Sequence, residues 1–321
     1  MPRRRVLITG VGSRLGSLLA ARLERDPDFE AVVGLDSRPP RLRLERTELI
    51  QADIRDPSLG EQLERTAPDT VVHNRIVRQP GPGMSAHAMH DINVIGSLRL
   101  LAACEGKPSL RAIVIRGSAG IYGAEPHAPQ FCTEEMTRLF PLRTRFQRDV
   151  AETENYFETY ARRHPQVTCT MLRYQPGIGA SDTQITRYLS QAACPTFLGF
   201  DPRIQLIHEH DALEALVAAV RAPVAGAVNV AAPGTIGLRR MIRLAGKAPL
   251  PLASPLFAPV VSAARRFGAA TFSYDFQRLL RYGRAVDIGR LEHDLGHRPR
   301  YSTAEAVKDW VTRARRGTAG A

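Results

Sequence analysis

Residues 6–16, VLITGVGSRLG, set Gly10, Gly12 and Gly16 in a turn between an apolar run and an amphipathic one. Glycine is required where backbone amides must approach a pyrophosphate and where a helix packs closely on a strand. The start of the following helix then faces the anion with unpaired amides and the positive end of its dipole. Asp36 closes the next apolar run, 20 residues after Gly16. A carboxylate there accepts both hydroxyls of an adenosine ribose and repels a 2′-phosphate, which favours NAD. Arg14 and Arg38 could instead pair with that phosphate, so NADP stays open as the alternative. The alternative is that Asp36 caps its own loop. Asp53, in ADIRD (52–56), suits either the adenine amino group or the cap of the turn that follows it.

Alternating short apolar runs and amphipathic stretches would position these residues. Strands are expected at 5–9, 31–36, 48–53, 70–74, 111–118, 167–174, 203–208 and 227–231, and helices at 13–25, 58–66, 86–105 and 145–164. Apolar strands separated by helices predict an α/β fold: a Rossmann-type doubly wound parallel sheet with a smaller C-terminal substrate lobe. The expected division is a dinucleotide-binding domain over 1–174, with 204–231 contributing to it. A smaller mixed lobe follows over 175–315, and a frayed tail over 316–321.

Composition narrows the function classes. The 321 residues carry a net charge of +12, almost all of it arginine, because lysine occurs only at 107, 247 and 308. The arginines are spread along the chain without aromatic interleaving, so no nucleic-acid partner is expected. Cys104, Cys132, Cys169 and Cys194 lie far apart without metal-binding spacing, as in a reducing compartment. No apolar run reaches the ~18 residues of a membrane span, and Val6–Ile8 is too short for a signal peptide, which points to the cytoplasm. The apolar segment 250–264 is broken by proline and is expected to pack as loop and helix.

These motifs resemble the extended short-chain dehydrogenases/reductases, the NAD-dependent epimerase/dehydratase family, over nearly the whole chain. TGVGSRLG (9–16) is similar to the family's TGxxGxxG turn, with Ser13 at the middle glycine. ADIRD is similar to its adenine-edge segment, and VVHN (71–74) to its VVHLAA strand. DINVIGSLRLLAAC (91–104) resembles its N-V-x-G-T helix, with Asn93 at the structural asparagine. GSAGIYG (117–123) resembles its SSxxVYG segment, which places the active-site serine at Ser118. The resemblance implies cofactor contacts from Gly10, Gly12, Ser13, Arg14, Leu15, Gly16, Asp36, Arg38, Asp53, Ile54, His73 and Asn93. It also implies an unidentified small-molecule ligand and a homodimer through the helices at 86–105 and 145–164.

The same resemblance exposes a departure. The family's Tyr-xxx-Lys pair, whose lysine lowers the tyrosine pKa so that the phenol can exchange a proton, falls on Phe146 and Val150. No lysine lies between Lys107 and Lys247, so no shifted alignment restores it. Tyr156 lies ten residues on, roughly 15 Å of helix. Tyr122, Glu125, His127, Arg145, Arg148 and Asp149 are the nearby substitutes for the proton carrier. Arg75, where the family has small residues, could clamp a pyrophosphate or occlude the groove. QPG (175–177) replaces residues that line a nucleotide sugar in the family, which favours a non-sugar substrate. Two functions stand open: a divergent oxidoreductase or epimerase, and a catalytically inactive nucleotide-binding protein acting as sensor or scaffold.

Overall fold

The computed structural model describes residues 4–78, 83–137, 139–257, 259 and 272–318. Its central sheet contains β1 (Arg4–Thr9), β2 (Phe29–Asp36), β3 (Glu48–Gln51), β4 (Thr70–His73), β5 (Ala112–Ser118), β6 (Thr168–Tyr174) and the strand Gly226–Val230. The spatial order is Gly226–Val230, β6, β5, β4, β1, β2, β3, and every pairing is parallel. Chain order reverses between β1 and β4, which makes their C-terminal ends the switch point where ligands of such sheets bind. The expected α/β Rossmann-type architecture is therefore present.

Helices cover both faces because parallel strands need crossovers. On one face Val6 and Ile8 of β1 join Leu19 of α1 (Arg14–Leu23) and Leu216 of the helix Glu209–Arg221. On the other, Leu7 joins Leu63 of α2 (Leu59–Thr66), Leu100 and Phe157. Alternate side chains of one strand thus feed two cores. A further core beyond residue 175 gathers Ile178, Tyr188, Phe197, Met241, Leu280 and Val307.

Some elements differ from expectation. The helix expected over 86–105 is α3 (Ala86–His90), a π-turn at Asp91–Ile95 and α4 (Gly96–Cys104). The cause is local: the Asn93 carbonyl accepts from the Ser97 and Thr153 hydroxyls, which loosens the helical ladder there. The strand expected over 203–208 is two short pieces. Arg203–Ile204 pairs antiparallel with Ile236–Gly237, and Ile207–His208 pairs parallel with Gly177–Ile178. Between them Gln205 turns its amide inward to the backbone of Ala232 and Val286.

The C-terminal helix Thr303–Thr318 continues through 316–318, where a frayed tail is expected, with Arg315 and Arg316 favourably placed in its last turn. Residues 319–321 lie outside the described residues, as do 258 and 260–264 of the apolar segment 250–264. The four cysteines are buried free thiols. Among the described residues no helix is long and apolar enough to cross a membrane.

Helix α5 (Arg145–Arg163), which carries Phe146 and Val150, starts with a capping box: Thr144 Oγ1 accepts from the Gln147 amide, and the Gln147 side chain accepts from the Thr144 amide. Gln147 Nε2 also donates to the Gly120 carbonyl at 3.3 Å, which holds the first turn of α5 against the turn after β5.

His73, at the end of β4, is 2% exposed, and both ring nitrogens are engaged. Ser97 donates its proton to the Asn93 carbonyl, so its oxygen accepts from His73 Nε2 at 2.9 Å. Nδ1 then accepts from the Thr9 hydroxyl at 2.8 Å. Burial pushes the imidazole down from 6.5 to about 4. Between those two values the unfolded chain takes up a proton that the native state refuses, so stability falls as pH falls through that window. His73 should contribute up to about 1.4 kcal/mol per pH unit. Urea denaturation from pH 7 to 4 should show a shallower decline for His73→Gln than for the wild type; equal slopes would contradict the burial argument.

Candidate functional site

The glycine turn sits at the C-terminal end of β1. Gly10 adopts φ +75, and a Cβ on it would meet the Arg75 backbone at 3.0 Å. A Cβ on Gly16 would strike the Gly10 carbonyl, so helix and strand approach too closely for any side chain. Ser13 caps α1: its hydroxyl accepts from the Gly16 amide at 3.1 Å and donates to the Gly10 carbonyl at 2.8 Å. The Asn74 side chain donates to the same hydroxyl at 2.9 Å. The first-turn amides of Arg14 and Leu15 have no acceptor within the helix and are the donors available to an anion. Leu15 itself packs beside the sheet core.

Asp36 lies directly beneath the turn, its side chain 2% exposed. One oxygen accepts from the Gly12 amide and the other from the Arg38 amide, both at 3.1 Å. The Arg38 and Arg75 guanidiniums stand 3.7 and 3.9 Å from this carboxylate. Arg75 is the notable neighbour. Its side chain is only 15% exposed, and burial draws it below its ordinary pKa, with Asp36 only partly offsetting this. With Thr9, Asp36, Asp53, Ile54 and Ile92 it walls a cavity of ≈ 10 Å³, room for about one water. The carboxylate at the end of β2 and the Asp53–Ile54 edge therefore face one small cavity, and the Arg75 side chain forms one of its walls.

The remaining expected contacts divide. Asp53 is tied to Arg55 by three hydrogen bonds of 2.8–2.9 Å. Ile54 is buried against Gly96. Arg14 is held by Glu209 at 2.6 Å, and Glu209 also accepts from Ser181 at 2.6 Å. Burial would raise the Glu209 carboxyl, but these hydrogen bonds hold it below its ordinary range. Arg14 thus clasps the start of the helix Glu209–Arg221, which Glu209 links on to Ser181, an arrangement that spacing alone does not reveal. His73 and Asn93 are structural ties. Asn93 holds the Val77 amide at 2.7 Å and its carbonyl at 2.8 Å, and neither residue opens a polar atom towards the groove.

Ser118 ends β5 and is 2% exposed; its hydroxyl accepts from the Gly120 amide at 3.1 Å. Across from it, a Cβ on Gly120 would meet the Phe146 ring at 3.2 Å. Phe146 and Val150 belong to one apolar cluster with Ala119, Ile121, Tyr122 and Val286. The substitute proton carriers are engaged or remote. Tyr122 donates to Asn229 at 2.7 Å and accepts from Arg173 at 2.9 Å, and burial pushes its phenol up to about 12. Glu125 is paired with Arg143 and Arg278 at 2.8 and 2.5 Å. His127, Arg145 and Arg148 are exposed. Asp149 is buried, with one oxygen 2.8 Å from His90 Nδ1 and the other without a partner among the described residues. His90, and Arg173 as the partner of Glu154, are further residues at the site that motif spacing does not single out.

The chain is similar throughout to proteins of one family. A model of the NAD dependent epimerase/dehydratase family matches residues 6–231. An uncharacterized protein of Mycobacterium tuberculosis is 36% identical over 95% of this chain and 82% of its own length. The fold matches the UDP-glucose 4-epimerase of Thermotoga maritima, solved with UDP-glucose, at a TM-score of 0.76 and 18% identity over 98% of this chain and 99% of that one. It also matches MoeE5 in complex with UDP-glucose and NAD, at 0.72 and 19% over 98% and 99%. With a family model over residues 6–231 and a relative 36% identical along nearly its whole length, the chain belongs to the NAD-dependent epimerase/dehydratase family.

Proposed function

We propose that the protein binds NAD at the glycine turn and holds a small non-sugar molecule in the cleft by Ser118, acting by binding, as sensor or scaffold, rather than by the family's proton-coupled chemistry. The observation that carries this reading is the apolar seat of Phe146 and Val150. Where the family resemblance expects a phenol and an ammonium, a closed hydrophobic cluster stands, and Tyr122, Glu125 and Asp149 already have structural partners. General acid–base groups are typically worth ~10²–10⁴ in rate, so their loss removes most of the ordinary activity. Solved neighbours that carry NAD support the cofactor assignment.

NAD supplies a nicotinamide ring that accepts or donates hydride when bound. The first-turn amides of α1 would hold its pyrophosphate, and Asp36 its adenosine ribose, which disfavours NADP. Arg75 must leave the adenosine place first. Residues 1–174 with the strand Gly226–Val230 serve in this reading as the nucleotide-binding domain. Ile95 and Leu98, exposed on the outer side of the Asp91–Cys104 segment, suit a homodimer contact.

A second reading is favoured by His90. Its imidazole is 26% exposed and is oriented through Nδ1 by the buried Asp149, next to Val150. A histidine steered by a carboxylate can carry a proton, so a divergent oxidoreductase or epimerase could run on it.

Two measurements separate these possibilities. Displacing a largely buried, paired guanidinium costs on the order of 1 kcal/mol. Arg75→Ala should therefore tighten NAD binding several-fold in isothermal titration, whereas weaker binding would make Arg75 a phosphate ligand. The wild type, loaded with NAD, should exchange no hydride across a panel of alcohols and ketones, and Phe146→Tyr with Val150→Lys should introduce exchange. Sustained wild-type turnover that is lost in His90→Gln would establish the second reading instead.

A further inference from the structure

Three arginines outside every assignment made above lie around the C-terminal ends of β5 and β6, where Ser118 pairs with Tyr174. Arg116 lies on β5 two residues before Ser118, on the same face of the strand. A charged side chain inside the buried run Ala112–Ser118 needs a reason, since arginine is rarely placed in a sheet core without a partner. Its guanidinium stands over the Tyr174 ring at 5.7 Å. Arg78 follows the end of β4, the neighbouring strand. Arg284 arrives from the C-terminal segment and is aimed by two contacts: Nε donates to Gln175 at 3.3 Å and Nη1 to the Gly123 carbonyl at 3.2 Å.

No ion pair among the described residues involves Arg78, Arg116 or Arg284. The Nε atoms of Arg78 and Arg116 are sealed from solvent without any hydrogen-bond partner. Burial, and after it the charges of Arg116 and Arg284, push the Arg78 guanidinium down to about 9. Burial pushes Arg284 to about 10, with Asp275 opposing. Asp275 is the carboxylate felt by this group, and it is committed to the Thr144 hydroxyl at 2.8–2.9 Å. Three like charges held together in a partly dry cleft repel one another and are poorly hydrated. Such an arrangement persists when it serves a ligand, at a standing cost in stability.

We infer that Arg78, Arg116 and Arg284 form an oxyanion site, so that the small molecule bound beside Ser118 carries its carboxylate or phosphoryl group at the Ser118 end of the cleft. This rests on the reading that the cleft takes a small molecule, and it adds the charge class and orientation of that molecule. The guanidiniums supply forked donors suited to an oxyanion, Gln175 holds one of them in place, and Ser118 lies at the edge where the uncharged part of the ligand begins.

The test uses the full chain, titrated at constant ionic strength with orthophosphate and, separately, with malonate, each with and without saturating NAD. Saturable binding of one of them, weakened at least tenfold by Arg116→Gln and by Arg78→Gln, is expected, and the preferred probe tells phosphoryl from carboxylate. Each variant should also melt no lower than the wild type without anion, because a repelling charge is removed. A melting temperature that falls in both variants would make the arginines structural and overturn the site. So would anion binding that ignores both substitutions, which is what net charge alone would produce, or no binding of either probe. If anions bind as described while NAD does not, the oxyanion site stands and the dinucleotide reading fails.

Discussion

The ion pair between Arg173 of β6 and Glu154 of α5 governs the geometry around the cleft. Both side chains are almost fully buried, 2.8 Å apart. Arg173 also donates to the Tyr122 hydroxyl and to the Glu134 carbonyl, while Tyr122 reaches Asn229 on the last strand. One guanidinium therefore joins β6, α5, the turn after β5 and the sheet edge. Buried charge is tolerated because its hydrogen bonds are filled, and removing either partner would strand the other. The position of Phe146 and Val150, two turns and one turn before Glu154 on α5, follows from this anchor.

The nucleotide end is governed by a competition. Asp36 is at once the acceptor for the Gly12 amide and the counter-charge for Arg75. The first role holds the glycine turn in shape. The second keeps a cation beside that turn. A turn built for an anion and an arginine lodged beneath it are compatible only if the arginine can move, which its single long ion pair of 3.9 Å permits. The clasp from Arg14 to Glu209 works similarly at the other side of the turn, tying the start of α1 to the start of the helix Glu209–Arg221.

Between these ends the two proposals meet. Phe146 and Val150 sit in an apolar cluster beside Ser118, and Arg78 and Arg116 hold buried Nε atoms without a partner among the described residues. In the reading proposed above, a cleft with fixed charge and no proton carrier on α5 is better suited to holding an anion than to transforming one.

Sequence alone determined the α/β order, the glycine turn, Asp36 and the absence of any lysine that could serve α5. These properties are local: strand runs, glycine spacing and residue identity are visible along the chain, and periodicity carries them. It did not reveal the partners of His73 and Asn93, because Thr9, Ser97 and Val77 come from other elements. Nor did it reveal the break at 205 or the π-turn at 91–95, where side chains replace backbone partners. Only the tertiary structure put Arg75 over Asp36, Glu209 on Arg14 and three distant arginines at one strand end. Such contacts depend on which loops the sheet order brings together, and charge leaves no periodic mark in sequence until folding makes distant residues neighbours.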